Sequence, residues 1–146
     1  MIKMEILKIN TERRRLGSFG ERQAAALLKK KGYKILERSY VALGHEIDII
    51  AQSKTATVFV EVKTRMLGSE HPNEPRPASA VTPKKQRGII CAAKAYLALH
   101  RPKGHVRFDI IEVYATRGRW LYHAKEIKHI ENAFDKDSAF KPNFNK

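Results

Sequence analysis

Two short runs constrain this fold more than any other part of the 146-residue chain: Gly44-His-Glu-Ile-Asp-Ile-Ile-Ala51 and Val60-Glu-Val-Lys-Thr-Arg65. Each is apolar enough for a buried strand, and the polar Gln52-Ser-Lys-Thr-Ala56 between them predicts an antiparallel hairpin. Val58-Phe59-Val60 is apolar on both faces, as a central strand covered on both sides requires. Yet the two runs carry three carboxylates and a lysine. Residues two apart on a strand share a face, so Glu46 and Asp48 are expected together, with Ile47 and Ile49 opposite. Glu61 and Lys63 share a face in the same way, opposed by Val62. Unpaired buried charge is costly, and Lys63 alone does not balance three acids. The deficit leaves room for a divalent cation, and an all-oxygen carboxylate set suits Mg2+ or Mn2+.

Charge narrows the partner. The chain has 29 Lys+Arg against 15 Asp+Glu, a formal net charge of +14. Such a surplus fits a polyanion, above all nucleic acid, although solubility alone also favours lysine. Three of the acids lie in the two strands above, so the remaining surface is more basic still. Cys91 is the single cysteine, which excludes a disulfide framework and a cysteine-based zinc site. No apolar run reaches the ~18 residues of a membrane span, and the charged start is unlike a signal peptide. A reduced, cytoplasmic setting is expected.

Residues 1–15 read as a basic N-terminal arm, with 1–11 a loose strand or disordered and Arg13, Arg14 and Arg15 as phosphate contacts. A single domain is expected over 16–134. It begins with a helix over 16–31 closed by Gly32, followed by strands over 34–41, 46–52 and 57–63. Gly68, Pro72, Pro75 and Pro77 mark an exposed loop over 66–81. Thr82-Pro83 is a helix start, with Thr as N-cap and Pro at the first helical position, and that helix should reach Leu99 or His100. Strands over 106–114 and 119–124, a short helix over 126–134 and a polar tail over 135–146 complete the reading. This order argues for an α/β domain with a mixed sheet between helices.

Both helices carry a polar residue inside the apolar stripe. At 100° per residue, Glu21 falls among Leu27, Ala24, Leu28 and Ala25, with Gly17 and Gly20 in the same arc, where they would allow close approach to the sheet. A carboxylate near a helix start also satisfies the helix dipole without any further role. Gln86 lies in the stripe of Ile89, Ile90, Ala93, Tyr96 and Leu97, surrounded by Lys84, Lys85 and Arg87. These basic residues at a helix N-terminus suit phosphate. Gln86 itself fits either a phosphate or metal-water contact, or a bond to backbone.

Gly-x-x-Gly-Glu on a helix, Glu-Ile-Asp at a strand end, Glu-Val-Lys and a Lys-Lys-Gln helix together resemble the PD-(D/E)XK nuclease superfamily. Within it they resemble the uncharacterised YraN-type family related to archaeal Holliday-junction resolvases. The likeness runs from about Leu16 to Phe134. It implies a restriction-endonuclease-like mixed sheet and a Mg2+- or Mn2+-dependent endonuclease acting on DNA, with branched or junction-containing DNA as one substrate class. By that resemblance Asp48 and Glu61 are metal ligands, the Val62 carbonyl completes the site, and Lys63 serves the attacking water or the phosphate charge. Glu21 matches an acid on the first helix, and Glu46 is a further ligand or a support. The family usually has Gly directly before Glu46, where this chain has His45, and tends to have Asn after Arg38, where this chain has Ser39. Junction enzymes often act as symmetric dimers, so a homodimer is one expected assembly.

Three carboxylates nearby disfavour loss of the Lys63 proton, so Lys63 is expected to act electrostatically and not as a base. Asp109, a further acid in an apolar strand, reads as structural and paired with a basic neighbour. The alternative reading is a nucleic-acid-binding protein that keeps the nuclease fold without turnover, and a third is a basic RNA- or ribosome-associated module. The retained acids favour an enzyme, since a pure binder gains nothing from acids beside phosphates.

Overall fold

The computed structural model describes residues 1–68 and 81–137. Pro72, Pro75, Pro77 and His71 of the expected loop, and most of the expected tail, lie outside these. The elements are α1 (Ile2–Lys30), β1 (Lys34–Ala42), β2 (His45–Gln52), β3 (Ala56–Met66), α2 (Pro83–His100), β4 (His105–Arg117) and β5 (Tyr122–Phe134). One mixed sheet runs in the order β1-β2-β3-β4-β5; β3 and β4 are parallel and every other pair is antiparallel. The helices cover opposite faces. Phe19, Ala24, Ala25 and Leu28 of α1 pack on Ile49, Val58, Val60, Ile111 and Val113, while Ile89, Ile90, Ala93 and Tyr96 of α2 pack on Ile47, Ile50, Phe59, Phe108 and Ile110. Val58, Phe59 and Val60 are wholly buried, as their two-sided apolar pattern requires. Thr82 caps α2, its hydroxyl accepting from the Lys85 N–H. No helix among the described residues is long and apolar enough to cross a membrane.

Two elements differ from expectation. Residues 1–15 are neither a strand nor disordered but helical, because α1 is continuous from Ile2. Lys, Glu, Met, Leu and Arg dominate this stretch and no Gly or Pro interrupts it before Gly17, so helix propensity outweighs the weak alternation. Residues 126–134 are not a helix but the body of β5. Ile127 and Ile130, spaced as if on one helix face, instead pack on opposite sides of the sheet, Ile127 toward α1 and Ile130 toward α2. Both faces of this strand meet apolar neighbours, which produces a three-residue spacing without a helix.

The alternation expected along β2 also breaks at one residue. Ile47 packs on the α2 side while Ile49 and Ala51 pack on the α1 side, so Ile47 and Ile49 do not share a face. The break is matched across the ladder. Arg38 pairs with Ile49 and Tyr40 with Ile47, which places Ser39 opposite Asp48, and Ser39 has φ +51°. Pairing of β2 with β3 extends from Gln52 only as far as Ile49. Beyond it the Asp48 carboxylate, not a backbone carbonyl, takes the Val62 N–H at 2.7 Å. The two strands thus part at Asp48. A left-handed backbone strains serine more than asparagine, which gives a physical reason for asparagine at this place. Ser39→Asn should stabilise the fold by about 0.5–1 kcal/mol in urea unfolding; an unchanged or lower midpoint would contradict this origin of the kink.

The β1–β2 turn accounts for the other departure. Ala42 pairs with His45, and Leu43 and Gly44 between them have φ of +52° and +76°. This is the two-residue geometry whose twist suits a hairpin, and Gly44 supplies one of its left-handed positions. His45 therefore begins the strand, one place after the glycine.

Candidate active site

Where β2 and β3 part, Asp48 and Glu61 come together. Burial first, and then the nearby Glu61 carboxylate, push the Asp48 carboxyl up to about 8 against the opposing Val62 N–H bond. Glu61 is only 3% exposed. Its Oε1 lies 3.2 Å from Lys63 Nζ and 3.8 Å from Lys85 Nζ. Its Oε2 is buried with no hydrogen-bond donor. A buried acceptor without a donor is rare and costly. Two carboxyls so placed must share a proton or a cation.

Glu21 reaches this cluster from α1. Partial burial raises its carboxyl, repulsion from Glu46 adds to that, Arg38 lowers it, and Glu61 raises it again. Its approach depends on Gly20, because a Cβ there would run into the Thr64 side chain of β3. Gly17, expected to share this task, has open space around it. Glu46 is exposed at the rim and also faces a pocket of about 410 Å3 with Gly44, His45, Thr82, Lys84, Lys85, Gly88 and Ile89. His45 packs directly on Gly88, whose lack of a side chain leaves room for the ring.

The structure thus gathers Asp48, Glu61, Lys63 and Glu21, with Glu46 and Lys85 at the margin. Gln86 follows the simpler of its two readings, its amide nitrogen donating to the Val81 carbonyl at 3.0 Å and holding the first turn of α2. Lys84 and Arg87 are exposed at the same helix end. Arg13, Arg14 and Arg15 are not part of this cluster; they ride on the exposed first half of α1, and Arg15 borders the β4–β5 hairpin. Among the described residues no three His, Cys, Asp or Glu side chains form a metal-holding group by themselves. The oxygen donors that come together here and suit a hard cation are the carboxylates of Asp48 and Glu61.

Sequence reasoning missed Glu112. It is 4% exposed, accepts a 2.7 Å bond from the Tyr114 hydroxyl and sits beside Lys63 in the β3–β4 register. The signal that exposed Asp48, an acid inside an apolar strand, was equally present in Ile110-Ile-Glu-Val113.

Asp109 is structural, as expected, and more fully paired than a single basic neighbour allows. Arg107 binds it through Nε and Nη2 at 2.9 Å each, His129 Nε2 lies 2.7 Å away, and the Asn132 N–H donates at 2.9 Å. Burial pushes this carboxyl up, but the bonds from His129, Arg107 and Asn132 outweigh it and hold it below its ordinary value.

Residues 20–113, which include every residue of the carboxylate cluster, match the uncharacterised protein family UPF0102. A UPF0102 protein of Chlorobium phaeobacteroides strain BS1 is 45% identical over 124 residues, covering 82% of this chain and 93% of the relative. One from Caldanaerobacter subterraneus subsp. tengcongensis is 43% identical over 128 residues, covering 87% of this chain and 98% of its own length. A third, from Herminiimonas arsenicoxydans, is 37% identical over 116 residues, 80% of this chain and 90% of the relative. On this likeness, spread over nearly its whole described length, the chain belongs to the UPF0102 family, the YraN-type group that its motifs resemble.

Proposed function

We propose that this protein is a metal-dependent endonuclease of the PD-(D/E)XK type, with a restriction-endonuclease-like fold, hydrolysing phosphodiester bonds of DNA. The observation that carries the reading is the Asp48–Glu61 pair: a half-buried carboxyl raised to about 8 beside a buried one whose second oxygen has no hydrogen-bond partner unless the two share a proton or a cation. Such a pair costs stability unless a proton or a cation is shared between the two carboxyls, and a cation held there is what phosphodiester hydrolysis uses. Asp48, Glu61 and the Val62 carbonyl would hold Mg2+ or Mn2+, which when bound supplies Lewis acidity to water and to the phosphodiester.

The remaining roles belong to the chain's own side chains. Lys63, held 3.2 Å from Glu61, presents a fixed ammonium where charge develops on the phosphate during attack. Its role is electrostatic, as a positive charge paired with Glu61. Glu21 and Glu46 extend the acidic wall toward α1, where they orient water by hydrogen bonding. Lys84 and Lys85 line the adjoining pocket and take backbone phosphates. Replacing both by Ala should weaken binding to all sequences alike and reduce the slope of log affinity against log salt by roughly one unit per lost contact. An unchanged slope would remove them from the interface.

The deciding experiment is cleavage of labelled linear and branched DNA with and without Mn2+, paired with calorimetry of Mn2+ binding. Metal-dependent cleavage supports the proposal. DNA binding with no cleavage of any substrate and no uptake of Mn2+ would instead assign the chain as a non-catalytic binding protein.

A further inference from the structure

The β4–β5 hairpin carries chemistry that the carboxylate site does not use. β4 ends at Arg117, the Gly118 N–H donates to the Leu121 carbonyl at 2.8 Å, and Trp120 and Leu121 stand at the tip, 85% and 72% exposed. An indole so far out in water forgoes the burial that usually makes tryptophan worth having. Its surroundings are cationic. The Arg119 guanidinium lies 5.7 Å from the Trp120 ring centre and that of Arg117 lies 6.0 Å from the Tyr122 ring. Arg15 of α1 joins these residues around a pocket of about 330 Å3. The acid in contact is Glu12, which pairs with Arg117 at 3.0 Å in an exposed ion pair of the kind that contributes little in water. The tip is also firmly mounted, since Tyr122 packs against Phe19 of α1 at 5.6 Å.

Three guanidiniums around an exposed indole match one ligand chemistry closely. Arginines take phosphates, and a free aromatic face takes the face of an unpaired base. Blunt duplex offers phosphates but hides all except its terminal base faces in the stack, so Trp120 would gain little along its length. Position adds to this. Glu61 is in register with Ile110, so the stretch 110–117 at about 3.3 Å per residue places the hairpin roughly 20 Å from the carboxylates. A few nucleotides of a single strand span that distance. Arg15 and the hairpin both lie outside residues 20–113, so this feature is additional to the region matched by the family.

We propose that the Arg117–Tyr122 hairpin with Arg15 binds an unpaired nucleotide, so that the substrate carries a single-stranded segment beside the duplex that is cut. This rests on the reading of the protein as a nucleic-acid enzyme and specifies its substrate class.

Trp120 is the sole tryptophan, so intrinsic fluorescence reports this site alone. The full chain, free of divalent metal, is titrated with oligothymidylate, with duplex bearing a thymidine tail and with blunt duplex. The tailed and single-stranded probes should quench the emission, and blunt duplex should bind without quenching. Trp120→Ala should lose roughly tenfold in affinity for the tailed probe but not for blunt duplex, and Trp120→Phe should recover part of the loss. Equal binding of the tailed probe by Trp120→Ala, or binding without quenching, would overturn the inference while leaving the endonuclease reading intact. Absence of any nucleic-acid binding would end both. If emission instead changed with protein concentration alone, as sedimentation showed dimers, the hairpin would be a contact between copies and the inference would fail.

Discussion

Asp48→Asn is expected to give a protein harder to unfold at pH 8 than the wild type and unable to cleave DNA. The Asp48 carboxyl is raised from an ordinary 3.8 to about 8, first by burial and then by Glu61. A carboxyl raised by folding holds its proton longer in the folded than in the unfolded chain. Its contribution is therefore most favourable below the ordinary value and is lost progressively as pH climbs from about 4 to about 8. Every tenfold difference in proton affinity between the folded and unfolded chains corresponds to about 1.4 kcal/mol. Lys63 and Lys85 screen part of the repulsion, so the variant should gain about 2–4 kcal/mol at pH 8 and little at pH 4. Its side-chain oxygen can still accept from the Val62 N–H, so the kink in the sheet survives. Urea unfolding in metal-free buffer at the two pH values measures the gain, and added Mn2+ should then stabilise the wild type more than the variant. Equal stability at pH 8 would show that the two carboxylates do not repel each other as their placement demands.

Asp109→Ala should have the largest effect in the opposite direction. The substitution leaves Arg107, the buried His129 ring and the Asn132 N–H without their common acceptor. Removing one member of a buried ionic group costs about 3–5 kcal/mol, a large share of the stability of a domain this size. With His129 Nε2 donating to Asp109, Nδ1 is left to accept from Lys31 Nζ at 2.9 Å, so the damage extends to the end of α1. Tyr33→Phe is the milder companion, removing the hydroxyl that accepts from Arg107 at 2.6 Å. It should cost about 1 kcal/mol in the same urea measurement. Asp109→Ala unfolding within about 1 kcal/mol of wild type would mean that the network contributes little. Because folding depresses the Asp109 carboxyl, its contribution is present above the ordinary carboxylate range and is lost as pH falls below it.

The sequence was most legible where one local rule governed a whole element. Val58-Phe59-Val60 could only be a central strand, and Thr82-Pro83 could only open a helix. Asp48, Glu61 and Lys63 stood out because each is a charge in a run that otherwise demands burial. What could not be read depended on partners distant in sequence. Ser39 gives no sign of its left-handed backbone until Asp48 lies opposite it across the ladder. Asp109 and His129 meet only through strand pairing. Ile127 and Ile130 mimic a helix because both faces of β5 have apolar neighbours, and the number of covered faces is a property of the assembled sheet. The first half of α1 misled for the opposite reason: apart from the Glu12–Arg117 ion pair and Arg15 beside the hairpin it is largely exposed, so little tertiary packing shaped its pattern.

The parallel pairing of β3 with β4 also sets an order of assembly. β1, β2 and β3 join through short turns, and β4 joins β5 through another, so these pairings close small loops. The β3–β4 pairing must wait for residues 67–104 to be brought round, the slow kind of closure in which chain entropy is lost before contacts repay it. Asp48 and Glu61 lie within the fast-closing β2–β3 hairpin. Their approach is therefore met early, before the parallel β3–β4 pairing closes, so Asp48→Asn should also speed folding at pH 8, a difference that refolding from urea would measure.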